Sequence, residues 1–234
     1  MLYFLGVSMT DDKNYIIPHP ELENPPAPEF PARGVDGLFS EDSLASLMAR
    51  LTVLEALIKS LTRDYSFNDF SRELLLSVMR VIQSEAGTLF ELDHKNNTLF
   101  FRASVGQGSD RLSQFRVPMG QGVVGHVAES RQPMLVSNVG ESGIYLKAIQ
   151  DAVGFKARNV IAIPIVVRAR LFGVLELLNR IGEDNYTAAD MELLTYLSEM
   201  LAKAIEIRMM IAWKNTSHAK HHNDKGGGAV PDAA

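Results

Sequence analysis

Between residues 41 and 62 the apolar positions Leu44, Leu47, Leu51, Leu54, Ile58 and Leu61 return at alternating three- and four-residue steps. This is a heptad seam, and it predicts a helix, Glu41 to Thr62, whose stripe packs on a partner helix. A second helical period covers Phe67 to Ser84, with Phe70, Leu74, Val78, Val81 and Ile82 on one face. Ser66 stands where a cap belongs, with Asp69 three residues on.

The period then falls to two. Thr88–Asp93 and Thr98–Val105 flank the polar link His94–Asn97, the pattern of a hairpin. A third strand is expected over Gln114–Pro118. Gly120, Gln121 and Gly122 then open a short helix that runs through Ser130. A fourth strand covers Pro133–Val139, and a small helix lies near Tyr145–Ala152. Two long apolar strands, Asn159–Val167 and Leu171–Asn179, are joined by the basic turn Arg168–Arg170 and should form the centre of the sheet. The last helix opens on Thr187 as cap, Asp190 three residues later and Tyr186 placed to staple onto Met191. It is expected to end near Trp213, with Leu194, Leu197, Leu201, Ala204 and Ile205 on one face.

These elements make an α+β layer architecture: one antiparallel sheet of five to six strands, helices on both faces and an N-terminal helical extension. Four segments are expected: an extended Pro-rich arm (1–40), a dimerisation helix (41–62), the folded domain (63–213) and a disordered tail (214–234). Six of the ten prolines fall between residues 10 and 40, and the tail carries Gly226–Gly228.

Composition narrows the function. The 234 residues carry a net charge of −5 and no basic stripe, which argues against a nucleic-acid partner. There is no cysteine, so thiolate nucleophiles, disulfides and thiol metal sites are excluded. The opening apolar run, Leu2–Val7, is too short to span a bilayer, and Met9 is a second candidate start. No membrane association and a cytoplasmic location are expected. His126 has no second ligand at metal spacing, and His218, His221 and His222 form only a short tail cluster. No metal, no cofactor and no catalytic constellation are expected, so the chain reads as a non-enzyme.

Three segments carry a resemblance: Arg116–Ala128, Gly154–Val160 and Gly173–Asn179. Together they resemble the GAF domains of cyclic-nucleotide phosphodiesterases and adenylate cyclases. The resemblance implies a GAF fold and a stand-alone signalling module. It implies a ligand between the sheet and the short helices, with a phosphate facing the amides of Gly122, Val123 and Val124. Family members that bind cyclic nucleotides carry an Asn-Lys pair, an aromatic residue and an Asp-Glu pair, matched here by Asn179, Arg180, Tyr186, Asp190 and Met191. That group also reads as scaffolding, an ion pair and cap built on Asn179, Arg180, Tyr186, Thr187 and Asp190.

Candidate ligand-binding positions are Phe101, Ser104, Val123, Val124, Asn138, Tyr145, Val153, Phe155 and Ala157. Base-reading side chains of the family fall here on Ala103, Ser104, Val153 and Ala157, which are mostly apolar. Two functions stay open. One is a homodimeric sensor of a small molecule, a cyclic nucleotide among the candidates, that passes its signal to a partner protein. The other is a dimerisation scaffold with a vestigial pocket. Both use a dimer interface drawn from Leu44, Leu47, Leu51, Leu54, Ile58, Leu61, Leu197 and Leu201.

Overall fold

The computed structural model describes residues 66–142 and 154–223, together with eight helical positions between 47 and 59. The arm 1–40, Leu44, Leu61, the expected helix at 145–152 with Tyr145 and Val153, and residues 224–234 lie outside the described residues.

The first element after the seam is α1 (Phe67–Ile82), and its start is fixed locally: the Ser66 side chain accepts from the Asp69 amide at 3.1 Å. It ends where Gln83 turns left-handed, at φ 53°. β1 (Ser84–Asp93) and β2 (Thr98–Val105) form the hairpin, and the Asp93 carboxylate accepts from the Lys95 and Asn96 amides within its turn. A 3-10 segment, Ser109–Gln114, occupies the first part of the expected third strand, which shortens to β3 (Arg116–Pro118). α2 (Gly122–Ser130), β4 (Met134–Val136) and the one-turn α3 (Val139–Ser142) follow. β4 is shorter than its expected span because Asn138 has already left the sheet.

β5 (Val160–Val167) and β6 (Arg170–Arg180) turn through Arg168 and Ala169, both at positive φ, the twist that suits a two-residue hairpin loop. α4 (Ala188–Asn223) closes the chain. It continues to Asn223, ten residues past the end expected near Trp213. Polar side chains such as Lys, Asn and Ser do not by themselves stop a helix that a packed first half has nucleated.

The six strands run in the order β3-β2-β1-β6-β5-β4, and every neighbouring pair is antiparallel. The fold is α+β, with β1 and β6 at the centre. Their close approach depends on Gly173, where a side chain would run into the Phe90 carbonyl.

Two hydrophobic layers result. On one face Phe70, Leu74 and Val78 of α1 and Leu194, Leu197 and Leu201 of α4 pack on Leu89, Ile163, Leu175 and Leu177. On the other, Val123, Val124 and Val127 of α2 and Val139 of α3 pack on Phe90, Val160, Val174 and Leu178. Alternation along β6 feeds both layers, as a period of two requires.

This layering corrects one expectation. Leu197 and Leu201 are 0% and 2% exposed within the single chain, so they belong to the domain core and are not available to a dimer interface. A helix face can serve the sheet or a twin subunit, and here the sheet has taken it. Leu47, Met48, Leu51 and Leu54 remain exposed, as do Ile207 and Met210 on α4.

Candidate functional site

A cavity of about 60 Å³ lies between the sheet and α2. Its floor is β1, β2 and β6, with Thr88, Phe90, Phe101, Glu176 and Leu178 facing it. Leu112 of the 3-10 segment, Gly122, Val123 and Val124 at the start of α2, and Phe155 complete much of the wall. The helix start makes no side-chain cap bond and carries no acid in its first turn. Its first amides are left to other acceptors, and the helix dipole favours a negative or acceptor group there.

Of the candidate binding positions, Phe101, Val123, Val124 and Phe155 line this cavity. Phe101 stacks obliquely on Phe90, ring centroids 4.6 Å apart. Ser104 is half-buried beside it; its hydroxyl accepts from Thr88 Oγ1 at 3.4 Å, and its carbonyl from Arg72 Nη1 at 2.9 Å. Ala157 is buried in the same hydrophobic layer without lining the cavity, and Asn138 is exposed and away from it. His126 faces out and donates from Nδ1 to the Gly122 carbonyl at 2.6 Å.

The lining also contains a group that the sequence reading passed over. Glu176 lies in the middle of β6, across from Thr88 on β1 and Ala162 on β5, and only 6% of it is exposed. Among the described residues no protein donor reaches its carboxyl, and it is the one ionisable side chain in the described lining. Burial pushes it up to about 8, because nothing compensates the loss of water around the charged form. The available signal was a lone acid inside the otherwise apolar run Leu171–Leu178.

The Asn-Arg-Tyr-Asp group forms a latch below the cavity. Asn179 adopts φ 59°; its amide donates to Glu85 Oε2 at 2.8 Å and the Lys156 carbonyl at 3.0 Å, while its oxygen accepts from the Arg158 amide at 2.7 Å. The bond from Asn179, then that from Arg158, holds the Glu85 carboxyl below its usual range. Arg180 reaches Asp190 at 3.3 Å, and Asp190 accepts from the Thr187 amide at 2.9 Å while Thr187 Oγ1 accepts from the Asp190 amide at 3.1 Å. Tyr186 is buried and donates to Ser84 Oγ at 2.8 Å. Each of these polar groups bonds to another part of the protein, so the motif ties β6, β1 and the start of α4 together.

Among the described residues no cluster of His, Asp or Glu is arranged to hold a metal ion, and no helix is long and apolar enough to cross a membrane.

A six-stranded antiparallel sheet with helices on both faces and a cavity under a short helix defines an α+β domain of one sheet with a pocket on one face. The sequence profile of the GAF domain family matches residues 64–206, and the chain belongs to that family. It is 22% identical over 160 residues to a probable 3′,5′-cyclic phosphodiesterase of Caenorhabditis elegans, a match that covers 63% of this chain and 22% of the relative. The chain thus spans about a fifth of that protein's length. The GAF domain of a phosphoenolpyruvate-protein phosphotransferase from Coxiella burnetii superposes with a TM-score of 0.59 at 18% identity, covering 71% of this chain and 95% of that one. A free methionine-R-sulfoxide reductase from Neisseria meningitidis, solved with its substrate, superposes with a TM-score of 0.56 at 16% identity, covering 69% and 90%. The fold therefore occurs both as one domain of a phosphotransferase and as an enzyme.

Proposed function

We propose that the chain is a non-catalytic, homodimeric sensor that binds a small molecule in the cavity under α2 and passes the signal to a partner protein. The observation that carries this reading is the cavity itself, where a buried carboxyl without a partner among the described residues and the uncapped start of α2 line one small volume. Polar groups are kept in such a place when something binds them, since leaving them unmet costs about 1–3 kcal/mol each. Against thiol redox catalysis of any kind stands the absence of cysteine from this chain.

Dimerisation is supported by the exposure of Leu47, Leu51 and Leu54, three positions of the heptad seam, with Met48 beside them. The cavity would bias how this seam and the outer face of α4 pack against a twin, and the Pro-rich arm offers a docking segment for the partner. A cytoplasmic location fits the cysteine-free composition.

A second reading, a scaffold with a vestigial pocket, draws on the volume of about 60 Å³, well below the ~300–1,000 Å³ of ordinary ligand pockets. The same figure weighs against a cyclic nucleotide, the ligand that the phosphodiesterase relative would bring to mind.

Two measurements test the proposal. Native mass spectrometry of the purified chain, with calorimetry against a nucleotide and metabolite panel, is expected to reveal a bound small molecule; silence in both favours the scaffold. Light scattering is expected to show a dimer that Leu51→Glu converts to monomer, because a charge in an apolar seam is prohibitive. A monomeric wild type would overturn the dimer.

A further inference from the structure

We infer that the cavity takes a small molecule bearing a protonated amine, and that Glu176 is the group that receives it. This assignment rests on the sensor reading above and names the chemistry of its ligand.

Three acids are buried among the described residues. Glu91 is bonded to Arg102 at 2.7 Å, and Asp190 holds Arg180 and the Thr187 cap. Among the described residues only Glu176 of the three lacks a protein partner, and it faces a cavity. Its sequence neighbours Leu175 and Leu177 point into the opposite core layer, while Val174 and Leu178 share its own face. An apolar residue would fit that surface without the cost of dehydrating a carboxyl. The position therefore holds an acid whose gain comes from outside the protein.

The chemistry of that gain is specific. An ammonium has three donors and a compact positive charge, and pairing it with a buried carboxylate offsets the dehydration of both. An anion placed there would meet a carboxyl that must then stay protonated. The volume sets the size, because at ~10–15 Å³ for each water the cavity holds a handful of heavy atoms. Phe90, Phe101 and Leu178 offer a short hydrocarbon stem its contacts. The start of α2 at Gly122–Val124, which lines the cavity without a side-chain cap, gives a carboxylate or carbonyl a place, so small amino acids belong to the class beside simple alkylamines.

The test is calorimetry and thermal shift on the full chain with n-butylamine, L-alanine and L-valine, their N-acetyl counterparts, and cyclic AMP and cyclic GMP. At least one free amine is expected to bind, and its N-acetyl counterpart is not. Glu176→Gln keeps the shape and should fold at least as well by circular dichroism, yet bind that amine roughly 10- to 100-fold more weakly. At pH 7 the wild type should release about one proton for each amine bound, as a carboxyl held near 8 ionises against the ammonium, and Glu176→Gln should release none. Amine binding unchanged in Glu176→Gln, or shared by the N-acetyl compound, overturns the assignment. Cyclic-nucleotide binding that ignores Glu176→Gln also overturns it while leaving the sensor reading intact. No binding by any probe overturns it as well, and the sensor reading falls with it only if native mass spectrometry also finds the cavity empty.

Discussion

The two faces of the sheet each bury a glutamate, and they treat it differently. Under α1, Glu91 meets Arg102 at 2.7 Å, and that guanidinium is held in turn by Asn68 Oδ1 at 2.9 Å and lies over the Phe100 ring at 4.8 Å. Under α2, Glu176 faces a cavity and has no charged or hydrogen-bonding partner among the described residues. Burial raises both carboxyls, Glu91 to about 7 against the opposing pull of Arg102 and Glu176 to about 8 with nothing opposing it. A carboxyl that serves the fold comes with its counter-charge built in. One left without it among the described residues, beside open volume, is the observation on which the proposed amine site rests.

Three outcomes would break or sharpen that contrast. The largest concerns Arg102→Ala, which strands Glu91 and should cost about 3–5 kcal/mol in denaturant unfolding. A cost under ~1 kcal/mol would mean that Glu91 is not held by its pair.

The next lies on the cavity face. Glu176 binds its proton more tightly folded, at about 8, than its ordinary 4.5. The stability it contributes is therefore full below pH 4.5 and is lost as pH rises to 8. At ~1.4 kcal/mol for each pH unit, the wild type should lose roughly 2 kcal/mol between pH 6 and 8 relative to Glu176→Gln. Parallel profiles for the two proteins would show an ordinary, solvated carboxyl.

The smallest is the double replacement Glu91→Leu with Arg102→Met, expected to lie within about 1 kcal/mol of wild type or above it, since both charges leave together. A double variant as unstable as Arg102→Ala would place the loss in packing.

Much of the fold was legible because it rests on local chemistry. The Thr187–Asp190 box and the Ser66 cap are written in adjacent residues, and the long runs that become β5 and β6 need no tertiary information. The seam at 44–61 was legible as a pattern, but which α4 residues stay free for a partner was not. Leu197 and Leu201 have the spacing of either role, and only the sheet beneath them decides. The site was harder still. Phe101, Val123, Val124 and Phe155 converge from β2, α2 and the loop before β5, a meeting that depends on strand order. Glu176 looks like any solvent-facing strand residue until β1 and β5 are seen to flank it on either side.

The most direct measurement is a carbon-13 NMR titration of the Glu176 carboxyl in the ligand-free chain. A midpoint near 8, falling toward the ordinary glutamate range when an amine binds, is the result expected. A midpoint near 4.5 in the free protein would contradict it.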